Sequence, residues 1–147
     1  MYKISNNIYD SIKGKNIKIE ELEYPNKLKL MDSIKKKFID NNKKGSWFWE
    51  KFYEYESIYD NKSWSYIKDF VLDKECILFF NQDEESKMFL IQNGYDLNYI
   101  LSETYGFEFY VTDRICSFLI CFNHHDILYG CGEAYRWIKE IKYRLPC

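Results

Sequence analysis

The stretch that decides the fold is residues 118–130, FLICF-NHHD-ILYG, in which two apolar runs flank four polar residues. Asn and Asp tolerate the backbone angles of turns, and their side chains bond neighbouring amides. The pattern is therefore typical of an antiparallel β-hairpin. Both histidines of the chain lie in its turn, Asn123-His124-His125-Asp126, which makes the turn the first place to look for chemistry.

Two further regions, both before this hairpin in the sequence, predict strands. Residues 76–80 (CILFF) and 88–91 (MFLI) are apolar runs on either side of the polar turn 81–87, as in a hairpin. Another strand, 107–111 (FEFYV), follows Gly106. We expect an antiparallel sheet of about five strands, formed by hairpins 76–91 and 118–130 and by strand 107–111. Because the runs are apolar on both faces, helices should cover one face and the other should also be packed.

Apolar residues at helical spacing predict helices over 4–12, 25–40, 64–72, 97–103 and 133–144. In the second of these helices, the predicted apolar stripe consists of Leu28, Met31, Ile34 or Lys35, and Phe38 with Ile39. Asp96 is the predicted cap of the fourth helix, and Pro146 ends the fifth. Residues 15–23 are expected to form a loop or a short extended piece.

The length of the chain limits the number of domains that it can form. A chain of 147 residues fits one domain and buries roughly 70% of the surface that it exposes when unfolded. We expect a single α+β domain over 1–147, with 1–72 mainly helical. Residues 76–147 are expected to hold the antiparallel sheet and two helices that cover it.

The sequence carries no sign of secretion or membrane insertion. No apolar run approaches the ~18 residues of a membrane span, and the first residues, MYKISNN, lack the apolar core of a signal peptide. We therefore expect a cytoplasmic protein with no membrane partner. The cysteines form an odd set without a CxxC pair, which favours free thiols used as small apolar side chains, with a redox pair or a metal site as alternatives. They are Cys76, Cys116, Cys121, Cys131 and Cys147.

Charge is distributed unevenly along the chain. The net charge is −2, yet residues 52–113 contain 4 basic and 13 acidic residues. Such a local excess repels nucleic acid and speeds encounter with basic partners. The lysines at 35–37 and 43–44 are expected to be the solvated face and end of a helix, so no nucleic-acid partner is predicted. The predicted partner-binding acids lie in the 81–87 turn and are Asp83, Glu84 and Glu85.

The densest aromatic segment of the chain is 46–53, SWFWEKFY. Trp49, Phe52 and Tyr53 have helical spacing, whereas Trp47 and Trp49 share a face only in an extended backbone. The rings either cap the core or form an exposed aromatic anchor of the kind that dominates interface energetics. Trp47 and Trp49 are therefore candidate partner-binding residues.

The histidine turn permits three interpretations. A nearby cysteine, Cys131 or Cys116, with His124 or His125 as its base, would make a small enzyme. Zinc could be held by Cys121, one histidine, Asp126 and Cys131, although no second ligand pair has the usual spacing. In the structural interpretation, the ring nitrogens bond backbone groups that the turn leaves open, assisted by Asp126. Serine triads and phosphate-binding glycine loops are absent from the sequence, and no metal or cofactor is predicted.

The segment FYV at 109–111, the hairpin 118–128 with its NHHD turn, and GCG at 130–132 resemble an uncharacterised family of small bacterial cytosolic proteins. Residues 47–50 (WFWE) and the strand pair 77–80 and 88–91 stand where that family carries an aromatic-Glu segment and a hairpin. The resemblance covers residues 46–138, and residues 1–45 match nothing in it. Such proteins are similar in size, acidity and fold class to immunity proteins of bacterial toxin systems, which bind a toxin domain and block its active site.

Together these features favour a non-enzymatic binding protein. We predict an immunity-type protein that neutralises a partner toxin, encoded nearby, through an acidic and aromatic-rich surface. The alternative is a small cytosolic enzyme that uses His124, His125 and Asp126 with a nearby cysteine. The predicted contact residues are Asp83, Glu84, Glu85, Trp47 and Trp49, and the family turn is Asn123, His124, His125 and Asp126.

Overall fold

The centre of the computed structural model is a seven-stranded sheet in which each neighbouring pair of strands is antiparallel. The structure describes residues 3–104 and 106–144, so the predicted helix stop Pro146, and Cys147, lie outside the described residues. The order of the strands across the sheet is β1-β4-β3-β5-β6-β7-β2. The strands are β1 (Ile19–Glu21), β2 (Glu56–Tyr59), β3 (Cys76–Phe79), β4 (Phe89–Ile91), β5 (Phe109–Thr112), β6 (Phe118–Phe122) and β7 (Ile127–Gly132).

The predicted α+β class is confirmed, and the predicted sheet is extended at both edges. The hairpin 118–130 forms as β6 and β7, with Cys121 opposite Tyr129, and 76–91 forms as β3 and β4. The expectation of about five strands is too low, because β1 and β2 add one strand at each edge. An edge strand is bonded on one side only. Short segments of mixed polarity, IEE in β1 and ESIY in β2, therefore suffice there, and neither contains an apolar run that would reveal it.

The helices occur where they were predicted, with shifted ends. The fourth begins at Gly94 because Asn93, rather than Asp96, is its cap: Asn93 Oδ1 accepts a hydrogen bond from the Asp96 amide at 2.8 Å. No helix within the described residues is both long enough and apolar enough to cross a membrane. The α-helices are α1 (Ile4–Ile12), α2 (Tyr24–Phe38), α3 (Ile67–Val71), α4 (Gly94–Glu103) and α5 (Glu133–Arg144), and Phe48–Lys51 and Ser63–Tyr66 form 3₁₀ turns.

Both faces of the sheet are buried, as the continuous apolar runs predict. Alternate residues of a strand point to opposite sides, so Cys76 and Leu78 belong to one core cluster, and Ile77 and Phe79 belong to another. The first cluster packs against α1, α3, α4 and α5, and we call this side the four-helix face. The second packs against α2 and Phe52, and we call this side the α2 face.

The buried row of α2 agrees with the predicted stripe at Ile34 and Phe38 but begins at Leu30 instead of Leu28. Leu30, Ile34 and Phe38 lie in the core of the α2 face, whereas Leu28 is 50% exposed. Residues four apart form one ridge of a helix, and packing on the ridge of Leu30 leaves Leu28 towards solvent. Leu28 and Leu30 have the same side chain, so the residue types by themselves do not choose between the two ridges.

Three connecting segments meet at one end of the sheet. The segment 80–88 joins β3 to β4, residues 106–108 lead into β5, and residues 123–126 join β6 to β7. Because β3, β5 and β6 are successive antiparallel neighbours, these segments lie side by side. We call this the turn end of the sheet, and it holds the candidate functional site.

We expect the substitution Ile34→Ala to lower the free energy of unfolding by about 2–5 kcal/mol, the usual range for a buried Ile truncated to Ala. The reason is that Ile34 is fully buried beneath the α2 face. Urea denaturation followed by circular dichroism measures the change. The matched control is Leu28→Ala in the same helix, which should alter stability by less than about 0.5 kcal/mol. Equal losses in the two variants would contradict the observed packing of α2.

Candidate functional site

The turn between β6 and β7 is held by Asn123, not by the histidines. The Asn123 Oδ1 accepts hydrogen bonds from the amides of His125 at 3.0 Å and Ile127 at 3.1 Å. The Asp126 amide bonds the Asn123 carbonyl at 3.1 Å, and Asp126 adopts a left-handed backbone conformation with φ of 62°. The prediction that the imidazoles bond the open backbone groups of the turn is therefore wrong. The short Asn side chain does this instead, which leaves both rings available for other contacts.

The imidazole of His124 is paired with a carboxylate that the sequence did not single out. His124 Nδ1 lies 2.6 Å from Glu108 Oε1, and the same oxygen accepts the Trp49 indole N–H at 3.0 Å and the His124 amide at 3.3 Å. Glu108 is 3% exposed, whereas the His124 side chain is 47% exposed. The carboxylate thus fixes the orientation of the ring, with Nδ1 towards the interior.

Glu108 keeps one oxygen unused. Its Oε2 is buried, and no described protein group bonds it; the same holds for Asn123 Nδ2. A buried acceptor without a donor costs about 1–3 kcal/mol relative to a satisfied one. The only sequence signal for Glu108 was a single acid within the apolar run 107–111, and that signal does not show which groups the carboxylate meets.

The aromatic segment and the histidine turn form one cluster of rings. Trp47 lies 5.5 Å from His124 and Trp49 lies 5.9 Å from His125, measured between ring centroids. The two imidazoles are 4.1 Å apart. Trp49 also stacks on Tyr129, which in turn contacts Tyr55. We call this set the aromatic strip; it consists of Trp47, Trp49, Tyr55, His124, His125 and Tyr129.

The aromatic segment packs on the core with some of its rings and keeps others partly exposed. Phe52 is fully buried in the core, and Phe48 packs on the ring of Tyr110 at 5.8 Å. Trp47 and Trp49 are only partly buried, and Trp49 also packs against the core of the α2 face. The 3₁₀ turn Phe48–Lys51 carries Trp49, and Trp47 precedes it. The role of an exposed aromatic anchor stays a prediction.

Glu50 fixes the start of this 3₁₀ turn. Its Oε1 accepts hydrogen bonds from the amides of Ser46 at 3.1 Å and Trp47 at 3.0 Å. The chain can pass Glu50 closely because residue 45 is a glycine: a Cβ there would lie 2.7 Å from Glu50 Cβ, and φ of 152° disfavours a side chain. This carboxylate orients the backbone that carries the two tryptophans.

The acidic turn 81–87 divides into exposed and buried acids. Asp83 and Glu84 are exposed, but Glu85 is only 6% exposed and does not lie on the predicted surface. Its two oxygens accept the amides of Ser5 at 2.9 Å and Lys87 at 3.2 Å. Burial raises the pKa of Glu85, but the bonds from Ser5 and Lys87 outweigh it and hold the pKa below its ordinary value. Glu85 therefore ties α1 to this turn.

The three predicted regions meet in one cavity at the turn end. Glu84 comes from the acidic turn, Trp47 from the aromatic segment and His124 from the histidine turn, although they are distant in sequence. The cavity has a volume of about 240 Å³ and is lined by Trp47, Glu84, Gly106, Phe107, Glu108 and His124. Asp83, Glu85, Trp49 and His125 are not among the residues that line it.

The described thiols are buried and are not hydrogen-bonded to the imidazoles of the histidine turn. Cys76, Cys116, Cys121 and Cys131 are all buried, and burial raises the pKa of the Cys131 thiol to about 12. Within the described residues, no hydrogen bond joins a thiol to either imidazole. No three His, Cys, Asp or Glu side chains of residues 3–104 and 106–144 are arranged to share a metal ion. The proposed zinc ligands Cys121, Asp126 and Cys131 are thus not brought together with a histidine.

We expect Glu108→Ala to lower the free energy of unfolding by about 2 kcal/mol, because the Trp49 indole and the His124 amide each lose their acceptor. Urea denaturation measures the loss. Glu84→Ala is the control, since Glu84 is exposed and its loss should cost less than about 0.5 kcal/mol. A Glu108→Ala protein as stable as the parent would show that these bonds do not organise the site.

The described thiols should react slowly in the folded protein. The variant Cys147→Ser removes the cysteine that lies outside the described residues. At pH 8, a thiol of pKa about 12, as for Cys76 and Cys131, is about one ten-thousandth thiolate. Burial also raises the pKa of Cys116 and Cys121, so Ellman's reagent should titrate the four thiols only after unfolding. The native rate should increase as the pH is raised towards the high pKa. A thiol that reacts in the folded protein at the rate of free cysteine would restore the cysteine-enzyme hypothesis.

The family of the chain follows from comparison with known proteins. No curated protein and no solved structure matches the chain. One family matches it over residues 1–142, and this range includes residues 1–45, for which the sequence had suggested no relationship. The prediction of an uncharacterised family is confirmed, and the chain belongs to the family of unknown function DUF6756.

Proposed function

We propose that this protein is a non-enzymatic binding protein of the bacterial cytoplasm, of the immunity type, which neutralises a toxin domain encoded nearby. The observation that carries the proposal is the aromatic strip beside Glu84 at the turn end. Aromatic rings and acids from three distant parts of the sequence form one continuous surface there.

The composition of this surface suits protein recognition. Trp and Tyr are enriched among residues whose truncation costs the most binding energy, because their rings bury a large area with few rotatable bonds. Two further rings are exposed in and before the edge strand β2: Tyr59 of β2 is 78% exposed, and Tyr53, which precedes the strand, is 55% exposed. A partner that covered the strip would bury these rings with little loss of conformational freedom, since Glu50 and Glu108 already hold Trp47 and Trp49 in place.

The charge of the surface indicates a basic partner. Asp83 and Glu84 are exposed beside the strip, and Glu54 is exposed next to Tyr53 and Tyr55. Acidic residues accelerate encounter with a basic protein surface and disfavour nucleic acid. A toxin nuclease has a basic cleft for its substrate. The acidic and aromatic surface of this protein would compete with the nucleic acid for that cleft.

One observation favours a second candidate function. The 2.6 Å contact between Glu108 and His124 resembles the pairing that orients a catalytic base. A small cytosolic enzyme would then use His124 with Glu108, and not with a cysteine, because the described thiols are buried. Stoichiometry separates the candidates. A binding protein silences its toxin fully only at one equivalent, whereas an enzyme that inactivates the toxin does so at a small fraction of one equivalent.

The proposal is tested with the toxin encoded beside the gene for this chain. We expect the two purified proteins to form a 1:1 complex by calorimetry, and toxin activity to fall to zero at one equivalent. Trp47→Ala should weaken binding about 30-fold, which corresponds to about 2 kcal/mol for a central aromatic residue. Tyr143→Ala is the matched control, because Tyr143 is 81% exposed on α5, which packs on the four-helix face; it should change the affinity less than twofold.

Two results would refute the proposal. One is a chain that neither binds the product of a neighbouring gene nor protects cells that express it. The other is an equal effect of Trp47→Ala and Tyr143→Ala on the affinity, which would locate the interface away from the aromatic strip.

A further inference from the structure

We infer that the cavity at the turn end receives an arginine side chain of the protein partner. The inference rests on the proposed function, and it specifies which chemical group of the partner enters the surface. The cavity is the one lined by Trp47, Glu84, Gly106, Phe107, Glu108 and His124.

The walls of the cavity suit a flat cation. The indole of Trp47, the phenyl ring of Phe107 and the imidazole of His124 contribute three aromatic surfaces. The faces of Trp and Phe rings attract cations, and the planar guanidinium group stacks on such rings more readily than a compact ammonium group does.

The charge of the cavity is negative. Glu84 and Glu108 both line it, and none of the described lining residues is Lys or Arg. A positive charge on His124 would balance only one of these two carboxylates. The lining residues therefore keep a net negative charge whether or not His124 is charged. The neighbouring cavity shares Trp47 but is lined by Lys35 and by no acid, and therefore does not favour a cation.

A second observation points to a hydrogen-bond donor as ligand. Glu108 is 3% exposed and its Oε2 has no donor among the described groups, while its Oε1 already accepts the Trp49 indole N–H and the His124 amide and contacts His124 Nδ1. The five N–H donors of a guanidinium group spread over one plane, so one side chain can bond the exposed carboxylate of Glu84 and still present donors to the wall that Glu108 forms. The three donors of an ammonium group lie on one nitrogen and span a smaller distance.

The position of Glu84 is fixed before any ligand arrives. The amides of Glu84 and Glu85 both bond the Asn81 carbonyl, and the buried carboxylate of Glu85 is anchored by the amides of Ser5 and Lys87. Glu84 is thus an exposed acid on a hydrogen-bonded turn. Because the backbone of this turn is held in place, it loses little conformational freedom on binding.

The inference can be tested without the toxin, by titrating the full chain with Nα-acetyl-arginine amide and recording the indole N–H signals by NMR. We expect the Trp47 signal to shift and saturate, while the signals of Trp64 and Trp137, which pack on the four-helix face, stay in place. The neutral citrulline analogue should cause no such shift. The lysine analogue should bind at least threefold more weakly. A Trp47 shift that is equal for arginine and citrulline, or absent, would overturn the inference.

Two variants locate the binding. Glu84→Gln should weaken the arginine derivative at least fivefold, because it removes the exposed carboxylate and keeps the shape of the side chain. Asp69→Asn, at an exposed acid of α3, is the control and should leave the affinity unchanged. Equal affinities of the parent and Glu84→Gln for the arginine derivative would overturn the inference.

The outcomes separate this inference from the proposed function. A toxin that binds with full affinity to Glu84→Gln but weakly to Trp47→Ala would uphold the proposed function and overturn the arginine site. Saturable, Glu84-dependent binding of the arginine derivative by a chain that recognises no neighbouring gene product would uphold the site and overturn the proposed function.

Discussion

The rest of the structure depends on one constraint: both faces of the antiparallel sheet are apolar and have to be covered. Four helices suffice for one face. The other face has only α2, and the remaining area is closed by Phe52 and by the partly buried Phe48 and Trp49. The segment 46–53 therefore packs on the sheet through Phe48, Phe52 and Trp49. This packing places Trp47 and Trp49 at the turn end, beside the histidines.

The buried carboxylate of Glu108 joins the aromatic segment to the histidine turn. A carboxylate removed from water is costly unless donors surround it, and here the donors come from Trp49 and His124, which belong to two separate segments. The same three contacts hold the segments together and aim their rings. The structure thus uses a polar group in an apolar layer to position a surface, and one oxygen of that group has no donor within residues 3–104 and 106–144.

At the turn end, neighbouring residues have different roles: some hold the backbone, and others expose their side chains. Asn123 and Asp126 build the turn, while His124 and His125 carry its exposed rings. The carboxylate of Glu85 accepts hydrogen bonds from backbone amides, while Glu84 remains exposed. In both cases one residue stabilises the backbone, and its neighbour in the sequence keeps an exposed side chain. Binding surfaces need this arrangement, because exposed groups recognise a partner well only when their backbone is held rigidly.

The sequence by itself determined the α+β class, the two hairpins and the burial of both sheet faces, because period and apolar character are local properties of the chain. It also marked Trp47, Trp49, Glu84 and the histidine turn as distinctive. The pairing of the edge strands, the burial of Glu85, the burial of Leu30 in place of Leu28 and the role of Glu108 were decided only by the tertiary structure. Each of these depends on which distant group lies opposite a residue. Glu84 and Glu85 differ only in the direction in which the fold turns them, one towards solvent and the other towards the amide of Ser5.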